Sequence, residues 1–252
     1  MSTRKEPVLI VENLVTQFAT PNGPLTAVDN VSFTLAQGRS LGVVGESGSG
    51  KSVTARSIMR LLPKTNVVSH GTVLIDGIDI KTLNPKKLRR QIAWVTQDSV
   101  LFRGTVWENI AYGNRDASDA DIYDAAQMAR LGDFVDKLEL GYQTVVDDDG
   151  SNFSAGQRQR IALARAIVAD PRILILDEAT SQMDGQVESL IHGELESFIR
   201  ERTTFIITHR ASSLELVDRV IVMHLGRLLS DASVADSIQD SRQFRHLFGK
   251  VA

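Results

Sequence analysis

The chain has 252 residues, 42% of them hydrophobic and 23% charged, with a net charge of −3 and no cysteine. That length suits one large domain or two small lobes. The charge gives no basic surplus for nucleic acid, the missing cysteines exclude disulfides, zinc–thiolate sites and thiol catalysis, and no apolar run has the length of a transmembrane helix.

Met1–Pro7 lacks the apolar core of a secretory leader. This predicts a soluble, cytosolic protein that reaches a membrane only by docking on something else. Val8–Val11 and Val15–Phe18 read as two short strands, and Thr20–Pro24 as a turn. Ala27–Leu35 alternates like a half-buried strand, and Gln37-Gly38 turns the chain into Ser40–Val44, a short buried strand. The chain thus opens as an antiparallel sheet feeding a parallel core.

Gly45–Ser52 follows and reads Gly-Glu-Ser-Gly-Ser-Gly-Lys-Ser, which fits G-x-x-x-x-G-K-[ST]. A helix over 53–62, stopped by Pro63, completes a strand–loop–helix context. In such a loop Gly45, Gly48 and Gly50 let backbone N–H groups converge on phosphate oxygens, together with those of Glu46, Ser47 and Ser49. Lys51 reaches the β- and γ-phosphates and Ser52 offers its hydroxyl to Mg2+. A glycine turn without a ligand is the competing reading, and the flanking strand and helix argue against it.

Thr72–Ile75 before Asp76-Gly77 is a further strand, and Ile92–Val95 is another that ends in Thr96-Gln97-Asp98. Helical spacing then takes over at 105–111 and 119–131, so 98–170 reads as a helical lobe. Asp147–Asp149 is an acidic loop, read as solvated carboxylates or as a metal site. Ser154-Ala-Gly-Gln157 opens a helix to about Ala169 whose apolar face is Ile161, Ala164, Ile167 and Val168. Ile173–Leu176 is an uninterrupted apolar strand that delivers Asp177 and Glu178 at its C-terminal end, where ligands bind in open α/β sheets. There Asp177 suits Mg2+ and Glu178 suits orienting or deprotonating an attacking water. A solvated turn is the alternative for such a pair. A helix over 185–201 leads to the strand Thr204–Ile207, with Thr208-His209 at its tip. Arg219–Met223 and Arg227–Leu229 close a hairpin, and the last twenty residues read as a helical tail. The expected fold class is α/β: a P-loop NTPase core of parallel sheet and helices, with an N-terminal antiparallel β part and a helical subdomain.

The P-loop, Gln97, Ser154–Gln157, Leu176-Asp-Glu178, Ser181–Asp184 and His209 occur in the order found in ATP-binding-cassette (ABC) ATPases. The chain resembles the nucleotide-binding domain of an ABC transporter over almost its whole length. Asn152–Ala166 is the most specific stretch, although Phe153 and Ala155 replace the Leu and first Gly that the family usually has. The resemblance implies a set of roles. Phe18 stacks on adenine, unless it is an ordinary core residue. Gln97 contacts Mg2+ and senses a membrane partner. Ser154, Gly156 and Gln157 bind the γ-phosphate of ATP held by a second subunit. Asp184 crosses the dimer interface, and His209 contacts the γ-phosphate. It further implies ATP and Mg2+ as ligands, a head-to-tail dimer of two such ATPase subunits, and separate transmembrane permease subunits on whose cytoplasmic face the protein sits. The lobes implied are 1–97 plus 171–252 for the core and 98–170 for the signature.

Residues 1–63 resemble the ATPase subunits of oligopeptide and dipeptide importers, and residues from about 71 onward resemble exporter-type domains. A natural hybrid and an engineered joint near 64–70 both fit that mixture. Asp148 stands where exporters carry a Glu before the signature. Two other readings stay open: a non-transport ABC ATPase, and a hybrid that binds ATP but hydrolyses it weakly. Substrate and direction of transport are not written in these residues.

Overall fold

Alternating apolar residues fold residues 7–36 into a hairpin of β1 (Pro7–Thr20) and β2 (Gly23–Ala36). In the computed structural model, which describes residues 6–240 and 242–248, the two runs expected at Val8 and Val15 are one strand. The register slips between Val11 and Leu14, where Asn13 adopts φ 48° and its N–H is taken by Ser32 Oγ at 2.8 Å. Asparagine tolerates that left-handed backbone, so the strand bulges instead of ending. Val8, Leu9, Val11 and Leu14 are buried with Val28, Val31, Phe33 and Leu35.

After β3 (Ser40–Val44) comes α1 (Lys51–Ile58), shorter than the expected 53–62 at its far end. Arg60 takes φ 53°; its N–H bonds to Ser57 O at 3.1 Å and that of Leu61 to Arg56 O at 2.8 Å. This is a Schellman stop with arginine in the place that glycine usually fills. β4 (Val67–Ile75), β5 (Ile78–Asp79) and α2 (Pro85–Arg90) follow. β4 is longer than the expected Thr72–Ile75. Pairing with β1 from Phe18↔Val67 to Leu9↔Ile75 extends it through Ser69-His-Gly71. The first sheet has the order β2-β1-β4-β5.

The chain divides into two compact units, one running to Ile92 and resuming at Ile199, the other Ala93–Phe198. β6 (Ile92–Val95) leads into the second unit, which holds β7 (Gly104–Thr105), α3 (Val106–Ala111), α4 (Asp119–Met128), α5 (Gly132–Val135), β8 (Val145–Val146), α6 (Ala155–Val168) and β9 (Ile173–Asp177). α7 (Gly185–Arg200) leaves it. Capping boxes Thr105–Glu108, Ser118–Asp121 and Ser154–Gln157 start α3, α4 and α6. α4 stops before the expected Leu131 by the same device as α1, with Arg130 at φ 56°. α6 packs on α3 and α4. Arg165 pins it to Asn109 O (2.9 Å), Asn109 Oδ1 (2.7 Å) and Val100 O (3.0 Å), and lies over the ring of Phe102. Burial pulls the Arg165 guanidinium down to about 10, which leaves it charged at neutral pH. β9 is buried along its length and neighbours β6.

The first unit resumes with β10 (Thr203–Ile207), β11 (Arg219–His224), β12 (Arg227–Ala232), α8 (Val234–Asp240) and α9 (Arg242–Phe248). The last two are the expected helical tail as far as it is described; residues 1–5, 241 and 249–252 lie outside the described residues. β3 lies between β10 and β11 and is parallel to both, while β11 and β12 form the antiparallel hairpin. Val44, Val220, Val222, Leu214 and Phe244 make the core beneath it.

Asp218 fixes where β3 begins. Its carboxylate accepts from Ser40 N–H at 2.8 Å, Ser40 Oγ at 3.0 Å and Arg39 Nη1 at 2.9 Å. Partial burial pushes this carboxyl up, but the hydrogen bonds from Ser40 and Arg39 outweigh it and hold it below the ordinary aspartate range. A carboxyl lowered by folding stabilises the fold above its unfolded value of about 4, and that contribution fades as pH falls through the lower folded value. Asp218→Asn should therefore melt earlier than the parent at pH 7. The gap should narrow as pH drops below about 4, as read from thermal melts across pH.

Candidate active site

The first unit builds a glycine-rich loop between β3 and α1. β3, buried at all five residues, ends at Gly45, and the loop returns as α1 at Lys51. Gly45, Gly48 and Gly50 take φ of 156°, 77° and 98°. A Cβ at Gly45 would strike Met223 O, and one at Gly50 would strike Ala27 O. The loop is therefore pressed against β11 and β2 and tolerates no side chain at either point. The β11–β12 turn braces it from outside: Gly226 N–H donates to Ser49 O at 3.1 Å, Asp29 N–H to Gly226 O at 2.8 Å, and Arg227 Nε to Asp29 Oδ2 at 2.7 Å. Nothing in the sequence around Leu225-Gly226 beyond a turn signal points to this bracing.

Lys51 is only 7% exposed. Its ammonium donates to Gly45 O and Glu46 O, each at 2.8 Å, so it is folded over the loop's own carbonyls. Thr54 Oγ1 ties the first turn of α1 back to Gly50 O at 3.0 Å. His209 follows β10, the parallel neighbour of β3, and is exposed. Arg210 N–H bonds Thr208 Oγ1 at 2.9 Å beside it. Phe18 lies on β1 opposite Leu25 and Val67 and is half-buried, so it is not an interior core residue.

The second unit carries the acidic and signature residues. Asp177 ends β9 and is 5% exposed, while Gln97 follows the neighbouring β6 and is exposed. Glu178 takes φ 52°, turning the chain sharply out of the strand. Ser154 N-caps α6: its Oγ accepts from Gln157 N–H at 3.2 Å, and Gln157 Oε1 accepts from Ser154 N–H at 2.8 Å. That cap uses a lone pair of the hydroxyl as acceptor and not its proton. A Cβ at Gly156 would come within 2.9 Å of Gln182 O, which explains the glycine there. Ala155, by contrast, is the first residue of α6. Phe153 packs edge-on against Phe134, ring centroids 6.2 Å apart. Asp184 Oδ1 accepts from Gln186 N–H (3.1 Å) and Val187 N–H (3.0 Å) and so starts α7.

Ser154, Gly156 and Gln157 are thus brought to the loop that runs from Glu178 to Asp184, all within one unit. Sequence reasoning missed Gln159, whose buried amide joins the two. Its only signal is a polar residue on the buried side of an amphipathic helix. Asp147–Asp149 lies in a short 3-10 turn, and no group of three metal-ligating carboxylates, histidines or cysteines occurs among the described residues.

A buried parallel strand, a loop with three glycines of positive φ and a helix opening on Lys51-Ser52 define a P-loop NTPase. Residues 28–181 match the model of the family described as ABC transporter. The ATP-dependent lipid A-core flippase of Methylobacillus flagellatus is 38% identical over 98% of this chain and 42% of its own length. The leukotoxin export ATP-binding protein LtxB of Aggregatibacter actinomycetemcomitans is 40% identical over 88% of this chain and 31% of its own. A bacterial Atm1-family ABC exporter, solved with ATP bound, superposes with a TM-score of 0.88 at 35% identity, over 97% of this chain and 42% of that one. The chain belongs to the ABC transporter family, as its ATP-binding ATPase domain. It spans less than half the length of these relatives. The flippase aligns over nearly the whole chain, so likeness to an exporter-type protein reaches into the first 63 residues as well.

Proposed function

We propose that this domain hydrolyses ATP with Mg2+ and couples that reaction to movement of a substrate across a membrane. The observation that carries the reading is the phosphate cradle, whose one buried ammonium, Lys51, is held by loop carbonyls where phosphate oxygens would compete for it. In this reading Gly45–Ser52 wraps the phosphates with N–H groups and Phe18 stacks on adenine. Lys51 stabilises charge on the β- and γ-phosphates. Glu178 orients and deprotonates the attacking water, and His209 holds the γ-phosphate.

The donors available for a metal are the Ser52 hydroxyl, the Asp177 carboxylate and the Gln97 amide oxygen. Hard oxygen ligands of this kind, too few for a protein-only cage, fit Mg2+ carried in by nucleotide phosphates. The ion supplies neutralisation of phosphate charge. The residues of this chain supply its position, and Asp177, fixed at the end of a buried strand, is the firmest of the three.

We further propose a head-to-tail pair of these domains, in which Ser154, Gly156 and Gln157 of one subunit reach the γ-phosphate on the other and Asp184 lies at the interface. The division that follows function is then a core of 1–97 plus 171–252 and a signature lobe of 98–170. No helix among the described residues is long and apolar enough to cross a membrane. Permease segments, separate or on the same polypeptide, supply the path, with this domain on the cytoplasmic face. The flippase and export proteins among the relatives favour outward transport over import. Phosphate release from ATP by the purified chain tests the chemistry. Turnover is expected with Mg2+ and none after chelation with EDTA. Turnover that persists in EDTA, or its absence with Mg2+, would contradict the reading.

A further inference from the structure

We infer that Gln159 is a positioning residue for hydrolysis, tying the signature helix to the backbone that carries Glu178 and Asp184; this rests on the reading of Glu178 as the water-activating group. Gln159 is fully buried on α6. Its Nε2 donates to Glu178 O at 2.9 Å and its Oε1 accepts from Gln182 N–H at 3.1 Å. The partners fix the amide's orientation, since a carbonyl demands a donor and an N–H demands an acceptor. At this reach a primary amide offers both: ionised glutamate has no donor, lysine no acceptor, and methionine no donor and only a weak thioether acceptor.

What the amide holds is an unusual backbone. Glu178 sits in the left-handed region that residues with a Cβ avoid. Its carbonyl is fixed by two donors, Gln159 and Ser181 N–H at 3.0 Å. Beyond it the loop is held at Thr180, whose Oγ1 donates to Glu188 Oε1 at 2.8 Å, and at Asp184, which caps α7. Gln159 is therefore the link by which α6, with Ser154 and Gly156 at its start, sets the direction in which Glu178 leaves the strand. A shift of the α6 N-terminus moves this amide and with it the Glu178 carbonyl. The mechanism above gives Gln159 no contact with the nucleotide, so its loss should show in kcat and not in binding.

The test is Gln159→Met in the full chain, a change that keeps most of the volume, removes the donor to Glu178 O and leaves at most a weak thioether acceptor for Gln182 N–H. The expected result is a kcat at least tenfold lower, with KM for ATP and nucleotide affinity within twofold. In a Glu178→Gln background the same change should lower the residual rate by less than twofold. If Gln159→Met does not fold, Gln159→Glu carries the test. It keeps the shape and the acceptor for Gln182 N–H but turns a carboxylate oxygen toward the Glu178 carbonyl, and the same loss of kcat at unchanged affinity is expected. A kcat within twofold of the parent, or a loss confined to KM, overturns the inference. Should Glu178→Gln itself keep full turnover, the reading beneath it fails instead.

Discussion

Glu178→Gln is expected to reduce ATP turnover by about 10²–10⁴-fold, the usual contribution of a positioned general base, while ATP still binds. The substitution keeps the side chain's length and volume and removes its ability to take a proton. The backbone at Glu178 is set from outside the side chain, by Gln159 and Ser181 on its carbonyl. Glutamine should therefore inherit the same φ of 52° without a new cost. Steady-state phosphate release and a nucleotide-binding titration on the same preparation separate the two effects. A turnover within tenfold of the parent would remove Glu178 from the reaction.

Lys51→Ala should weaken ATP binding by about 100-fold or more, since charge-assisted hydrogen bonds to two phosphates are each worth roughly 1.5–3 kcal/mol. The change also leaves Gly45 O and Glu46 O without the ammonium that now bridges them. Loop collapse and lost charge therefore act in the same direction. Lys51→Arg should not rescue binding. The guanidinium is longer and planar, and its fork does not reproduce the compact ammonium that bridges Gly45 O and Glu46 O. Titration with a fluorescent ATP analogue reads the outcome. Affinity of Lys51→Ala within threefold of the parent would contradict the assigned role of the loop.

The parts that were legible in the sequence are those where one residue type has one physical use. Glycines at 45, 48 and 50 marked a loop without side chains at its close approaches, Ser154–Gln157 marked the start of a helix, and Ile173–Leu176 marked a buried strand delivering Asp177. The misreadings have equally local causes. Arg60 and Arg130 occupy helix-stop positions where glycine is the usual signal, so the sequence runs both helices too far. Asn13 looks like a strand end and is a bulge. Ser69-His-Gly71 has no strand propensity of its own and is ordered by pairing with β1, helped by the Thr16 hydroxyl 3.4 Å from that of Ser69. The left-handed turn at Glu178 and the bridge from Gln159 could not be read, because each depends on contacts between segments about twenty residues apart.

The reading that most needs a physical check is that two copies of this domain trap ATP between the cradle of one and the signature of the other. The solution mass of Glu178→Gln, measured with and without ATP and Mg2+, tests it most directly, because this variant is expected to bind ATP and turn it over far more slowly. The account predicts a monomer without nucleotide and a doubling of mass with it, abolished by adding Lys51→Ala. A mass that stays monomeric while ATP is demonstrably bound would contradict the paired arrangement, and with it the route proposed from hydrolysis to transport.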